Sequence, residues 1–515
     1  DPFVSSSIFS NDLLLKIIYP PGEGSSTLAT RTVFYGYNRQ GEIVAMVDQN
    51  ETLHEYERDA LGRMTRDTAT ATASNIDATI DRIDLSFDSA GRLSKVTSLE
   101  SAGPTVRNEV EFGYTPLGQV EKVYQHSKGA VSYDGGGLPT GDTRLVGYEY
   151  ANAEIGSSST GNFSRQTGLA YPRKVNSSGH DPEVLEYAFG TSGGTDDRIS
   201  RVNQFKFNLT SSSNTSMVNY AFVGVGRTIL VDLDQPDVQL DFTLSLDGKR
   251  RTVGYTTQTQ GFYPGFDQFG RLALQTWADG GLTSASSLPT KPQIVALQYG
   301  YDDRGNRTAV LDVRRGNLWN RSHTYTNDGL DRLKKARRNT WANLISGSPV
   351  DGVGTQSWDL DLLGNWNEFQ SWAPGSPPAP ETETRTHNAV NELLTRTLPN
   401  SGPEHTLGYD AAGNMATDAV TSGNTTIYTH DAWNRLVKVE VDDGTTVVTK
   451  LEQEFNGLTW RTLKREDTPG SAGGLDEERT YAYNANWQLL EERVDKDYIS
   501  SPGLNKRVQY VWGLR

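Results

Sequence analysis

The chain has 515 residues, no cysteine, and 49 Lys plus Arg against 64 Asp plus Glu, a formal net charge of −15. The absence of cysteine excludes disulfides, thiolate metal sites and thiol nucleophiles, and the acidic balance argues against a general affinity for nucleic acid. A hydrophobic fraction of 35% and a mean hydropathy of −0.57 are low for a compact core of this size and suit a thin sheet with two solvated faces.

In chain order, residues 1–30 form a lead-in whose longest apolar stretch, Leu13 to Ile18, is broken by Lys16. No signal peptide, membrane-spanning run or lipidation signal is visible in the chain. Residues 31–125 then carry a recurring pattern, Tyr-x-Tyr-Asp-x-x-Gly-Arg-Leu. Its copies read YGYNRQGEI (Tyr35, Tyr37, Gly41), YERDALGRM (Tyr56, Gly62), LSFDSAGRL (Phe87, Gly91) and FGYTPLGQV (Phe112, Tyr114, Gly118). Residues 126–260 hold degenerate copies among polar inserts. YAFGTSGGT (Tyr187, Phe189, Gly193) and YAFVGVGRT (Tyr220, Phe222, Gly226) keep the aromatics and glycine but lose the Asp.

Residues 261–515 return to clearer copies: PGFDQFGRL (Phe266, Gly270), YGYDDRGNR (Tyr299, Tyr301, Gly305), SWDLDLLGNW (Trp358, Gly364) and LGYDAAGNM (Tyr409, Gly413). In YTNDGLDRL (Tyr325), RTHNAVNEL, YTHDAWNRL (Tyr428), QEFNGLTWR (Phe455) and YAYNANWQL (Tyr481, Tyr483) the glycine slot holds Asp331, Asn391, Asn434, Thr459 and Trp487. All ten Trp lie from Trp277 onward, which marks a second section of the array with its own packing.

Two aromatics separated by one residue share a strand face. The Asp carboxylate can accept from backbone N–H groups two or three residues on, and Gly supplies the left-handed residue of a bulged hairpin. Each copy therefore predicts one β-hairpin, and the fold class is all-β: tandem hairpins in one continuous curved sheet. Asn and Asp tolerate positive φ, so Asp331, Asn391 and Asn434 fit the same turn. Gly329 and Gly457, two positions before their slots, predict a different turn type there, and Trp487 predicts a remodelled turn. Repeat glycines lie roughly 21 to 35 residues apart, the spacing of a stacked array.

This pattern resembles the YD-repeat, or RHS (rearrangement hot spot), family of bacterial surface and toxin-carrying proteins, whose repeat animal teneurins share. The resemblance covers roughly residues 30 to 512 and is weakest from about 125 to 255; several stretches look most like repeats of environmental bacteria such as planctomycetes. It implies a sheet spiralling round a hollow interior, an extracellular or cell-surface location, and a shell that encloses or displays a polypeptide such as a C-terminal toxin. In bacterial members that toxin follows a self-cleaving core segment with an Asp-Pro-x-Gly-Leu motif. Here neither Asp1-Pro2 nor Asp181-Pro182 is followed by x-Gly-Leu, so self-cleavage is not carried over.

The chemistry of the chain points to no catalytic, cofactor or metal residue. None of the seven histidines (His54, His126, His180, His323, His387, His405, His430) has a partner at metal-ligand spacing. The stretch VGVGRT has Ile229 where a dinucleotide fingerprint needs glycine. The carboxylate pairs Asp196-Asp197, Asp302-Asp303 and Asp442-Asp443 read as turn or solvated residues, and the basic run Arg332 to Arg338 as a solvated strand face. The expectation is a non-enzymatic shell in which no three titratable side chains converge in a closed pocket. An array binding cell-surface glycan or protein through exposed Tyr and Trp, and a carbohydrate-active enzyme on a repeat scaffold, are the alternatives.

Overall fold

The computed structural model describes residues 12–22, 24, 27–71, 73–100, 105–151, 165–173, 183–208, 214–223, 225, 227–233, 238–241, 266–279, 293–312, 322–339, 354–372, 380–399, 402–468, 474–496, 498, 503 and 506–512. Among them, apart from the single turns Ala29–Arg31 and Thr195–Arg198, all regular structure is β. The fold class read from the repeats is the one observed. Packing divides the chain into two compact units: Asp1–Glu183 with Thr386–Thr397 and Pro403–Arg515, and Val184–Arg385 with Leu398–Gly402. This division follows compactness, whereas the sections at 31–125, 126–260 and 261–515 follow repeat quality.

The first unit contains two antiparallel meanders. One runs from Lys16–Ile18 through Thr32–Tyr37, Ile43–Val47, Leu53–Arg58, Met64–Thr70, Ile80–Phe87, Leu93–Glu100, Val106–Tyr114, Val120–His126 and Arg144–Tyr150 to Gln166–Arg173. The other runs from Leu393–Thr397 through Glu404–Tyr409, Met415–Val420, Thr425–Asp431, Leu436–Asp442, Val447–Phe455, Arg461–Glu466, Glu477–Tyr483 and Leu489–Lys496 to Lys506–Gln509. They meet at a short parallel pairing, His430 opposite Ile76 and Asp431 opposite Asp77. Buried residues come from both meanders, Val96, Val110, Val123 and Val146 from the first and Leu463, Ala482 and Leu490 from the second.

The second unit is a meander of the same kind, from Val184–Ala188 and Gln204–Asn208 to the hairpin Gln356–Leu360/Trp366–Ser371 and residues 381–384 paired beside it. Its core is aromatic where the repeats are degenerate. Tyr187 meets Phe205 edge-on at 5.3 Å, and Phe205 meets Tyr220 at 5.7 Å. In the basic run, Lys334 and Arg338 are exposed, Arg332, Lys335 and Arg337 are half-buried, and Ala336 is buried.

The repeat turn has one geometry throughout. In the copy at Asp59, the Asp59 N–H donates to the Arg63 carbonyl at 3.0 Å and the Gly62 N–H to the Asp59 carbonyl at 2.9 Å. Asp59 Oδ1 accepts from the N–H groups of Leu61 and Arg63, two and four residues on. This is a type I turn closed by a bulge residue at positive φ. Gly41, Gly62, Gly91, Gly118, Gly270, Gly305, Gly364 and Gly413 all hold φ between +75° and +98°.

Three expectations about variant turns need correction. Asp331, Thr459 and Trp487 take φ of 63°, 64° and 64°, and each closes the same pair of backbone bonds as the glycine copies. The Asx bonds decide this: Asn484 Oδ1 accepts from Asn486 and Gln488, and Asn456 Oδ1 from Leu458 and Trp460. Giving those up would cost more than the roughly 1–2 kcal/mol of a left-handed residue. Trp487 is 60% exposed, so its bulk meets solvent. Gly193 is the reverse case. It has φ 76°, but it lies in the loop between Val184–Ala188 and Gln204–Asn208 and donates to Asp197 Oδ2, beside the short helix Thr195–Arg198. Gly226 lies outside the described residues.

Candidate functional site

Two features of the repeats could carry function: the contacts that join one hairpin to the next, and the line along which the two meanders of the first unit meet. The first is a clasp. The arginine after the turn glycine folds back onto its own Asp and forward onto the following repeat. Arg92 Nε donates to Asp88 Oδ2 at 2.7 Å, while its guanidinium lies 4.3 Å from the Tyr114 ring. In return Tyr114 Oη donates to the Leu93 carbonyl at 2.7 Å. Arg271 repeats this with Asp267 (2.6 Å) and the Tyr301 ring (4.5 Å), and Tyr301 Oη reaches the Leu272 carbonyl at 2.7 Å. Arg63 lies over Phe87, Arg227 over Phe266 and Arg435 over Phe455, and Arg201, after Ser200 at positive φ, binds Asp196 and lies over Phe222.

The second aromatics are thus spent on the neighbouring repeat. Tyr37, Tyr409 and Tyr483 donate to the carbonyls of Leu14, Leu393 and Arg461. First aromatics pack within the sheet. Tyr299 donates to Gln275 and lies under Arg307, Tyr325 stacks on His323, Phe112 faces Val123 across the strands, and Trp358 packs on Trp366 and Phe369. Burial raises the phenol pKa of Tyr35, Tyr56 and Tyr428, and pushes those of Tyr187 and Tyr481 up to about 12. Phe189 opens the loop that holds Gly193. The hydrogen bond from Arg63 holds the Asp59 carboxyl below its usual range, as Arg92 does for Asp88. Asp302 serves its turn, accepting from Arg304 and Asn306, and Asp443 likewise accepts from Thr445 and Thr446.

The second feature is a seam within the first unit. Turns of the C-terminal meander press their second residue against the N-terminal one. The Ala411 N–H donates to Asn50 Oδ1 at 3.1 Å, and Asn50 Nδ2 donates to Asp410 Oδ2 at 3.0 Å. The Ala432 carbonyl lies 3.0 Å from His54 Nε2, and Trp433 Nε1–H donates to Asp67 Oδ2 at 2.8 Å. The Ala485 N–H donates to Tyr148 Oη. Gly457 leaves no room for a side chain, since a Cβ there would sit 2.5 Å from Ile83 Cγ2 and 2.6 Å from Val96 Cγ1. Gln125 binds the peptide of Tyr483 as a strand would, donating to its carbonyl at 2.7 Å and accepting from its N–H at 3.0 Å.

Two half-open clefts of about 200 and 210 Å³ lie on this seam. The first gathers Arg107, Glu452, Glu454, Arg465 and Lys438; the second gathers Lys128, Asp142, Arg144, Glu478 and Arg493. Titratable groups gather in these half-open clefts because stacking two charged strand faces puts their side chains in one layer. Several are paired across it. Arg107 binds Glu454 and Lys128 binds Glu478, while Arg465 reaches Glu478 at 3.0 Å from the neighbouring strand of the same meander. Burial raises the Glu454 pKa against the opposing charge of Arg107. Burial, helped by the positive charge of Arg493, pulls Arg144 down to about 9.

Sequence reasoning named the aromatics and turn residues but gave no role to the clasp arginines, to the alanines at the second turn position or to His54. The arginine was visible as the Gly-Arg-Leu end of the repeat. The seam had no local signal beyond the alanines and glycine at positions 411, 432, 457 and 485.

No family model matches the sequence, and no curated protein matches it. Among solved structures it is similar to the crystal structure of TcdB2-TccC3, at 12% identity and a TM-score of 0.22 over 90% of this chain and 29% of that one. A structure of the Photorhabdus luminescens Tc holotoxin pore gives 12% and 0.22 over 91% and 33%. The complex TcdB2-TccC3-Cdc42 gives 11% and 0.21 over 93% and 34%. The chain spans about a third of the length of these structures. Similarity this low leaves the functional argument to the chain's own geometry.

Among the described residues, no helix is long and apolar enough to cross a membrane.

Proposed function

We propose that the chain is wall of a non-enzymatic RHS/YD-repeat shell of a bacterial surface or secreted protein, enclosing or displaying a polypeptide such as a C-terminal toxin. The observation that carries this reading is the use of the repeat aromatics. Arginines cover the rings of Tyr114 and Tyr301, and their hydroxyls bind the preceding repeat. A wall needs such internal joints, because each hairpin is stable only against its neighbours. A glycan-binding array needs the same rings bare and aligned on an outer face.

The charged clefts fit a wall as well. Glu454 and Glu478 are held by Arg107, Lys128 and Arg465, which suits cohesion between layers better than acid–base work. The test is protease digestion of the complete gene product. A segment outside the repeats that resists digestion while the hairpins are intact, and is cut once they are unfolded, supports enclosure. Digestion of every such segment at its free rate refutes it. Saturable binding to a glycan panel, lost on substitution of an exposed Trp, would favour the adhesive array; turnover of glycosides abolished by Glu454→Gln would establish an enzyme.

A further inference from the structure

His54 is 3% exposed, on the strand Leu53–Arg58 of the N-terminal meander, and it touches the C-terminal meander directly. Its Nδ1 lies 2.9 Å from Asp67 Oδ1 and its Nε2 lies 3.0 Å from the Ala432 carbonyl. A neutral imidazole has one donor and one acceptor nitrogen, whereas the imidazolium has two donors. A backbone carbonyl can only accept, and so can an ionised Asp67. A neutral ring would therefore turn a lone pair toward an oxygen on one side, in a site closed to water.

We infer that His54 is held as an imidazolium and latches the two meanders of the first unit together, so that its deprotonation loosens the seam at the turn of residues 431–434. The surroundings favour the charge. Asp67 on the adjacent strand faces Nδ1, and its other oxygen is fixed by the Trp433 indole. Asp48, in the turn before the strand, adds a second negative charge, and Asp410 of the C-terminal meander faces Asp48 through Asn50. Tyr56 stacks on the ring at 6.1 Å and Trp433 meets it edge-on at 5.7 Å. Burial by itself would lower the His54 pKa; the Asp67 hydrogen bond and charge, the Ala432 carbonyl and the Asp48 charge together more than offset it, leaving the value above the ordinary 6.5.

The sign follows from linkage. A base whose folded pKa is raised contributes its full stabilisation below the unfolded value and loses it as pH rises through the folded value. The contribution of His54 to the seam is accordingly complete below its unfolded midpoint and fades as pH rises through its raised folded midpoint. Each unit by which the His54 midpoint lies above 6.5 corresponds to roughly a tenfold change in the opening equilibrium.

Two measurements on the intact chain test this. Long-range proton–nitrogen spectra of histidine-labelled protein, recorded across the neutral and alkaline range, read the state of each ring nitrogen of His54. Amide exchange around Trp433, corrected for the intrinsic pH dependence, reads the seam. Both nitrogens protonated at neutrality, with exchange rising in step with their titration, is the expected result. Asp67→Asn should move the midpoint downward and flatten the exchange profile; if that variant does not fold, the wild-type titration decides alone. An unprotonated Nδ1 at neutrality, meaning that the shared proton sits on Asp67, overturns the inference. So does corrected exchange that stays flat while His54 titrates.

Discussion

Replacing Gly457 by Ala is a direct test of how the two meanders of the first unit meet. Gly457 does not need positive φ; Thr459 supplies that in its turn. What excludes a side chain is Ile83 Cγ2 at 2.5 Å and Val96 Cγ1 at 2.6 Å from the Cβ position. Real contacts of this kind rarely fall below about 3.4 Å, so the neighbours must retreat by close to an ångström. Ile83 is 6% exposed and Val96 fully buried, which leaves them nowhere to go without moving the strands. Overpacking of this kind costs about 1–3 kcal/mol. Gly329 is the matched control. It holds the same turn position in the second unit, and a Cβ there meets nothing within 4 Å. Gly329→Ala should be neutral, or stabilising by up to about 1 kcal/mol through the unfolded chain. Denaturant melts, read at the transition of the affected unit, compare the two. Adding Val96→Ala to Gly457→Ala removes one of the clashing methyls, so the double variant should lose less than the sum of the singles. A Gly457→Ala melt indistinguishable from that of Gly329→Ala would refute the close approach.

Other outcomes follow from the same geometry. Arg271→Gln, which breaks the bond to Asp267 and uncovers Tyr301, should cost about 1–2 kcal/mol in the melt of the second unit. Arg304→Gln, on an exposed side chain paired with Asp331, should stay within about 0.5 kcal/mol, and a reversed order would break the clasp argument. Trp487→Gly should stabilise by about 1 kcal/mol, because it relieves a left-handed residue whose ring is mostly in solvent; a clear loss of stability would show that the ring packs. Arg107→Met should cost about 3 kcal/mol near neutrality by stranding Glu454. Its raised folded pKa means that the charged form is the disfavoured one, so part of the loss should return as pH falls toward the ordinary 4.5, and a pH-independent loss would contradict this.

The repeat by itself determined the fold class and the turns, because the interactions involved are local. An Asp or Asn side-chain oxygen accepting from N–H groups two and four residues on makes the bulged hairpin in the described copies that carry it. It is strong enough to hold even Trp487 and Thr459 in the left-handed region, a point the slot residue alone argued against. In the copy at Gly193 the Asp slot holds Gly190, so the side-chain bond is missing and the connection becomes a loop with a helical turn, whereas the Thr115 hydroxyl keeps that bond in the copy at Gly118. The clasp is half legible: Gly-Arg-Leu recurs, but which ring each arginine covers depends on the stagger of neighbouring hairpins. The seam is legible only as small residues at the second position of some turns. Asn50 and Asp410, His54 and Ala432, Gln125 and Tyr483 are separated by more than 350 residues, and nothing in their own neighbourhoods announces the partner. Long-range stacking decides which turns carry Ala or Gly at their second position, which carboxylates meet cations across the layer, and that a histidine on a plain strand acquires two acceptors. Periodicity fixes the unit of a repeat protein; only packing between distant units assigns its charges and its close contacts.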